Sequence, residues 1–217
     1  MFDAASPLDG LGLPEGFAEA VGATDEALAD AERYRAMLAE ANEHLNLVGA
    51  STLDDFWMRH FVDSAQLRLY APKAKTWADL GSGAGLPGIV LAVLLKPMNG
   101  ARVHLVESLT KKARFLREVV EALDLPAEVH HARAEDLRLK VEVVTARACA
   151  PMGRLLRYAS PLLKGDTLGL FLKGEMWAEE VGDAWTDWRF EAESLAQSLS
   201  DPRGHIIGLK NLRRASR

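Results

Sequence analysis

Two carboxylates, Asp79 and Glu107, stand at the ends of short apolar runs, and Gly81, Gly83 and Gly85 follow the first of them. Closely spaced glycines let a chain turn sharply and let a ligand approach the main chain. Pro87 then falls where a first helical turn tolerates proline, ahead of the apolar run Ile89 to Leu95. A strand, a glycine turn and a helix N-terminus form a ready site for the polar end of a nucleotide-like ligand. The competing reading is a tight turn in any α/β protein, with Asp79 merely bonding the amides of that turn. The spacing is G-x-G-x-G, with Leu86 where the dinucleotide fingerprint wants its third glycine. No G-x-x-x-x-G-K-[ST] is present, which excludes a nucleotide-triphosphate loop of that type. Arg147 and Lys173 end two later apolar runs, and ligands of open α/β sheets sit at the carboxyl ends of strands. Lys173, followed by Gly174, suits a phosphate or a base oxygen.

Upstream, Arg59-His60 and Asp63-Ser64 fall within one helical turn, so His60 and Asp63 can form a polar couple beneath such a site. A lone histidine is more often a satisfied structural residue than an acid or base. His130 and His131 are adjacent, but no H-x-x-x-H or carboxylate set completes a metal site by spacing, and no metal is expected. Cys149 follows Arg147 by two residues; a covalent role needs a local cause for a lowered thiol pKa and lacks the expected Pro-Cys pair.

An acid at the end of a second strand can accept hydrogen bonds from two ribose hydroxyls, and Glu107 has few structural reasons to end an apolar strand. With the glycine block, this resembles the S-adenosylmethionine-binding half of a class I methyltransferase more than a nicotinamide-binding fold. On that resemblance, Asp79 accepts from the donor's amino group, and Ala134-Glu135 meets the adenine edge. Arg147 anchors the donor's carboxylate, contacts RNA, or holds Asp79 in an ion pair.

The elements that must carry these residues alternate from residue 75 onward. Strands are predicted at 75–80, 102–107, 127–131, 142–147, 167–173, 190–199 and 205–210, with helices at 87–96, 109–124, 151–163 and 175–186. Alternating strands and helices give a mostly parallel doubly wound sheet. The last two strands, separated only by Asp201-Pro202-Arg203-Gly204, must pair as an antiparallel hairpin. The expected fold is α/β and Rossmann-like: seven strands, mostly parallel, with a terminal antiparallel hairpin and added N-terminal helices. Thr24 caps one of those helices, and Leu28, Ala31, Tyr34, Leu38, Ala41 and Leu45 form its apolar stripe. A second helix is expected over 52–70, with Phe56, Phe61, Ala65 and Leu69 on its apolar side. Residues 1–23 are expected to be an acidic, flexible N-terminus with Leu8, Leu11 and Leu13 as anchors, 24–72 a helical cap, and 73–217 the sheet domain.

Length and composition agree with one α/β domain: 217 residues, 48% of them apolar. No apolar run approaches the roughly 18 residues of a membrane span, and Met1-Phe2-Asp3 lacks the basic start of a signal peptide. The single cysteine forms no intrachain disulfide, and a cytoplasmic protein is expected. The net charge of −5 is unevenly spread. Residues 1–55 hold twelve acids against Arg33 and Arg35, leaving the remainder net basic. A basic body with an acidic N-terminal segment is compatible with a nucleic acid on one face.

Several blocks then occur in order: Asn46-Leu47, Arg59-His60-Phe61-Val62-Asp63-Ser64, Asp79 to Gly88, Glu107-Ser108, Lys111-Lys112, Phe115-Leu116, Arg133-Ala134-Glu135, Arg147-Ala148 and Leu172-Lys173-Gly174. Over about residues 25–210 they resemble the ribosomal RNA small-subunit methyltransferase G family, also called glucose-inhibited division protein B. The resemblance implies methylation of guanine N7 at position 527 of 16S ribosomal RNA, with S-adenosylmethionine as donor and S-adenosylhomocysteine as product. It implies cofactor contacts from Gly81, Leu86, Ala134, Glu135 and Arg147, with Asp79, Gly83, Glu107 and Ser108 in the same site. Asn46, Arg59, His60 and Lys173 fall on the RNA side. The expected partner is 16S ribosomal RNA or the small ribosomal subunit, without a membrane, and the protein is expected to be a monomer.

Guanine N7 carries a lone pair and no proton, so its methylation needs no general base and no certain catalytic side chain; Arg147, Lys173 and His60 are positioning candidates. In keeping with this, the fourth strand ends in Thr145-Ala146-Arg147 and not in the Asn/Asp-Pro-Pro-Tyr/Phe of exocyclic-amine methyltransferases. Two alternatives stand beside this reading. One is a methyltransferase of the same fold acting on another RNA base, a protein or a small molecule; the other is a non-catalytic binding module.

Overall fold

The computed structural model describes residues 13–215. Seven strands form one sheet in the order β3-β2-β1-β4-β5-β7-β6. They are β1 (Thr76–Leu80), β2 (Arg102–Glu107), β3 (Ala127–His131), β4 (Val143–Arg147), β5 (Leu168–Lys173), β6 (Trp188–Gln197) and β7 (His205–Arg214). The first five pair in parallel, while β7 runs antiparallel to both β5 and β6. The chain order turns back between β1 and β4, so their carboxyl ends open a crevice.

Alternation along the strands divides the core into two layers. Trp77, Val103, Leu105, Val143 and Leu170 point to one face, against α5 (Gly88–Leu95) and α6 (Thr110–Ala122). Ala78, Leu80, Val106, Val144 and Phe171 point to the other, against α7 (Met152–Ala159) and α8 (Trp177–Ala184).

Among the described residues, three short helices and one long one precede the sheet: α1 (Phe17–Val21), α2 (Asp25–Leu45), α3 (Ala50–Leu53) and α4 (Asp63–Ala65). Thr24 caps α2 as expected, its side chain accepting the Ala27 N–H at 3.2 Å. Leu28, Ala31, Tyr34 and Leu38 are buried in the same core layer as α5, which is buried along its whole length. Burial of that order stabilises by about 1.5–3 kcal/mol per large apolar side chain. Polar fasteners mark the same junction. Lys96 donates to Asp30 at 2.8 Å and to the Leu123 carbonyl at 2.9 Å, and Arg33 donates to the Ala122 carbonyl at 2.8 Å. The helices and the sheet therefore share one core.

The single helix expected over 52–70 is instead a succession of windings. After α3 the chain turns at Asp54-Asp55, runs as a π-helix over Trp57–Val62, continues as α4, and tightens to a 3-10 turn over Gln66–Leu69. Phe56, Phe61 and Ala65 are buried as anticipated, whereas Leu69 is exposed. The acidic N-terminal segment contains α1, whose Phe17, Ala18 and Val21 are buried. Leu8 and Leu11 lie outside the described residues, as do Ser216 and Arg217.

Candidate functional site

The glycine turn leaves β1 and is stitched to β2. Gly81 and Ser82 both donate to the Val106 carbonyl, at 2.9 and 3.0 Å, and the Ser82 hydroxyl donates to the Asp79 carbonyl at 2.9 Å. Gly81 has φ +67°, and a Cβ there would sit 2.7 Å from the Cys149 sulfur. Gly88 opens α5 after Pro87, and a Cβ on it would meet Leu105 at 2.3 Å and the Asp79 carboxylate at 2.7 Å. Both positions exclude a side chain on packing grounds.

Glu107 fixes the open side of this turn. One carboxylate oxygen accepts the Gly83 N–H at 3.0 Å, and the other accepts the Leu109 N–H at 2.7 Å. Each oxygen keeps a lone pair for a further donor. Gly81, Gly83, Glu107, Ser108, Ala134 and Glu135 line one cavity of about 320 Å³, together with the cations Lys112 and Arg133. This volume is within the range of small-molecule sites.

Asp79 and Leu86 do not line that cavity. Both are buried, Asp79 completely. One Asp79 oxygen accepts the Gly88 N–H at 3.1 Å, while the other is buried with no partner among the described residues. Burial raises the Asp79 carboxyl to about 7, against the opposing pull of its hydrogen bonds and of Arg147.

A second cavity, about 860 Å³, opens beside the first and is lined by Arg59, His60, Asp63, Arg147, Arg154 and Lys173 among others. Arg147 is held from three directions. It donates to the Arg59 carbonyl at 3.0 Å, to Asp63 at 3.1 Å and to His60 Nδ1 at 3.2 Å. The expected alternative of an Arg147–Asp79 ion pair gives way to Asp63, and His60 and Asp63 each contact the arginine. Because a guanidinium can only donate, His60 Nδ1 must be the acceptor and Nε2 carries the proton. Nε2 faces the Thr52 hydroxyl at 2.9 Å, and that hydroxyl donates onward to the Gly49 carbonyl at 2.7 Å. Burial, then the Arg147 charge, lowers the His60 pKa to about 4, so the ring stays neutral.

Asp63 also accepts from Ser198 at 2.8 Å, Ser200 at 2.7 Å and Gln66 at 3.1 Å. One carboxylate thus ties the β6–β7 turn to the arginine. Lys173 donates to the Ala150 carbonyl at 3.0 Å and pairs with Glu180, which itself accepts the Met152 N–H at 2.8 Å. Asn46 lines neither cavity. It is exposed and ends α2 in the left-handed region at φ 47°, a conformation asparagine tolerates. The following loop, Leu47 to Gly49, does line the larger cavity, and Asn42 accepts the Leu47 and Val48 amides at 2.7 and 2.9 Å.

Three residues line both cavities: Ala148, Cys149 and Tyr158. Burial pushes the Cys149 thiol up, aided by the negative charges of Asp79 and Glu107. A thiol kept protonated is a poor nucleophile. Tyr158, Asn42 and the two serines were not anticipated as site residues. Nothing in their spacing sets them apart, since each becomes relevant only through a partner distant in sequence.

The family model for rRNA small subunit methyltransferase G matches residues 27–207. Curated relatives named ribosomal RNA small subunit methyltransferase G are similar along most of their length. One from Caulobacter sp. (strain K31) is 58% identical over 95% of this chain and 91% of its own, and one from Caulobacter vibrioides is 56% identical over 92% of each. A third, from Rhodospirillum rubrum, is 43% identical over 93% of this chain and 99% of its own. Among solved structures, an O-methyltransferase from Bacillus cereus in complex with SAH has a TM-score of 0.56 at 16% identity, covering 84% of this chain and 91% of that one. A mutant of MtNAS in complex with S-adenosylmethionine has a TM-score of 0.54 at 18% identity, covering 85% and 77%. These likenesses carry the fold. The length and identity of the sequence matches carry more: this chain belongs to the rRNA small subunit methyltransferase G family.

Proposed function

We propose that the chain methylates guanine N7 in 16S ribosomal RNA, with S-adenosylmethionine held in the smaller cavity and the target base in the larger. The observation that carries this reading is the pair of adjoining cavities that meet at Ala148, Cys149 and Tyr158. The smaller cavity suits the donor by chemistry: Glu107 offers free lone pairs to ribose hydroxyls, and Ala134 and Glu135 offer backbone and carboxylate to an adenine edge. Beneath the turn, one oxygen of the buried Asp79 has no partner among the described residues and is a spare acceptor. When bound, S-adenosylmethionine supplies an electrophilic methyl group on a sulfonium.

The residues of the chain then have to hold and orient. Guanine N7 brings its own lone pair, so no side chain must take a proton. Positioning of two reactants in a site that excludes water can supply roughly 7–11 kcal/mol of a barrier. Arg147, fixed by Asp63, His60 and the Arg59 carbonyl, presents a rigid cation in the larger cavity, where it can meet a phosphate or guanine O6. Arg59, Arg154 and Lys173 add positive charge around the same opening. Tyr158 is an aromatic side chain at the junction, of the kind that stacks on an extruded base. No described helix is long and apolar enough to cross a membrane. The reading places the protein in the cytoplasm, acting as a monomer on RNA or on the small subunit.

The test is transfer of labelled methyl to small subunits from cells lacking this gene, followed by nucleoside mapping. Label in N7-methylguanosine at the one expected position supports the reading. Label elsewhere keeps the fold and donor and overturns the substrate. No label, with donor binding intact, favours a methyltransferase of other specificity or a binding module.

A further inference from the structure

Away from both cavities, at the β2–β3 edge of the sheet, three ligating side chains meet. His104 lies on β2, and Glu128 and His130 lie on β3. The parallel register sets His104 beside Glu128 and Val106 beside His130, which brings all three side chains to one face. His104 Nδ1 and His130 Nε2 are 2.9 Å apart. Glu128 places one oxygen 3.8 Å from His104 Nδ1 and the other 3.8 Å from His130 Nε2. His104 is buried, His130 is half-buried and Glu128 is open to solvent, so the cluster is anchored on one side and reachable from the other.

We propose that His104, Glu128 and His130 bind a borderline divalent transition-metal ion, with zinc as the leading candidate. Two imidazoles and one carboxylate form a donor set that suits zinc, copper or nickel and is poor for magnesium or calcium. A tetrahedral zinc with bonds of about 2.0–2.1 Å holds its donors roughly 3.3 Å apart. The 2.9 Å between the nitrogens falls short of that value and either Glu128 oxygen lies 3.8 Å from its nearer histidine nitrogen, so binding needs the nitrogens to part slightly and the exposed Glu128 side chain to turn one oxygen in between them. Facing nitrogens at hydrogen-bond distance must share a proton, and the ion would replace it. Arg102 contacts Glu128 at 2.9 Å, but both side chains are about half exposed. Such pairs are worth about 0–1 kcal/mol, so releasing the carboxylate costs little.

The site crosslinks β2 to β3, and β3 leads directly into Ala132 to Glu135, which line the smaller cavity. It does not depend on the methyltransferase reading. In the sequence only the neighbouring His130 and His131 stand out as a pair. His131 is held elsewhere, by Thr110 at 3.3 Å and the Ser108 carbonyl at 3.1 Å.

The test is calorimetric titration of chelator-cleared protein with Zn²⁺, with visible absorption of the Co²⁺ form to report tetrahedral coordination. One equivalent is expected to bind, with a rise in melting temperature. His130→Gln and Glu128→Gln are expected to weaken binding tenfold or more, and His131→Gln to leave it unchanged. Glu128 is at an exposed position and His130 at a half-buried one, and the metal-free melts of both variants check folding. Absence of stoichiometric binding overturns the proposal. So does binding that survives His130→Gln with the same affinity, since the ion then sits on another histidine.

Discussion

Replacing Asp63 with asparagine separates the two cavities experimentally. The carboxylate serves four donors: Ser198, Ser200 and Gln66 on one oxygen and Arg147 on the other. Asparagine keeps one oxygen and turns the other end into a donor. With the oxygen retained toward the serines, an NH₂ group faces the guanidinium. The lost bond is charge-assisted, worth about 1.5–3 kcal/mol. Arg147 and Asp63 have side chains 18% and 14% exposed, so the arginine is left largely buried without its counter-charge. Removing one partner of a fully buried pair costs about 3–5 kcal/mol. Partial exposure and the two remaining acceptors, the Arg59 carbonyl and His60 Nδ1, reduce this to about 2–3 kcal/mol. For a domain of this size the melting temperature should fall by roughly 4–12 °C. Asp63 does not line the smaller cavity, so the donor should bind within about threefold of wild type, whereas kcat/KM for methyl transfer should fall tenfold or more, about 1.4 kcal/mol. Scanning calorimetry, donor titration and methyl transfer would be measured on one preparation. A wild-type melting temperature, or a loss confined to donor affinity, would refute the reasoning.

The remaining predictions concern the donor cavity and the neutral histidine. Glu107→Ala should raise the donor dissociation constant about tenfold, roughly 1.4 kcal/mol, because the carboxylate that braces Gly83 and faces the ribose is lost; unchanged affinity by calorimetry would remove that role. His60 has a folded pKa depressed below its unfolded value of 6.5, to about 4. The stability it lends is therefore complete above the unfolded value and drains away as pH falls toward the folded one. Between neutral pH and about pH 4.5, wild type should lose about 2–3 kcal/mol more than His60→Gln in urea unfolding. Equal losses in the two proteins would mean that His60 is not held neutral.

The sheet was legible in the sequence for a physical reason. Strands buried on both faces must be apolar throughout, and β1, β2, β4 and β5 read as short apolar runs between turn residues. Their ends were equally legible, since Glu107, Arg147 and Lys173 interrupt apolar runs where a crevice must open. The windings over 52–70 are not legible because apolar residues three and four apart fit an α-helix as well as a π-turn. The extra residue of the π-turn is set by the bonds of Asp63 N–H to Met58 and His60, which periodicity does not encode. The larger cavity was the least legible part. Asp63 meets Arg147 across 84 residues and Ser198 across 135, and no local spacing announces such partners. His104 and His130 are hidden in the same way, 26 residues apart until the strands pair.

The union of α2 with the sheet has a consequence for synthesis on the ribosome. Tyr34 is fully buried and donates to the Ala84 carbonyl at 2.8 Å, across 50 residues of chain. The apolar stripe of α2 therefore emerges well before α5, the surface that covers it. At translation rates of roughly 5–20 residues per second, that gap lasts about 3–10 s. During this interval α2 has only nearby partners such as Phe56, whose ring meets Tyr34 edge to face at 5.9 Å, and the part of its apolar stripe that α5 will cover stays exposed to chaperones and to neighbouring nascent chains. The glycine turn, when it arrives, closes onto a helix already waiting for it.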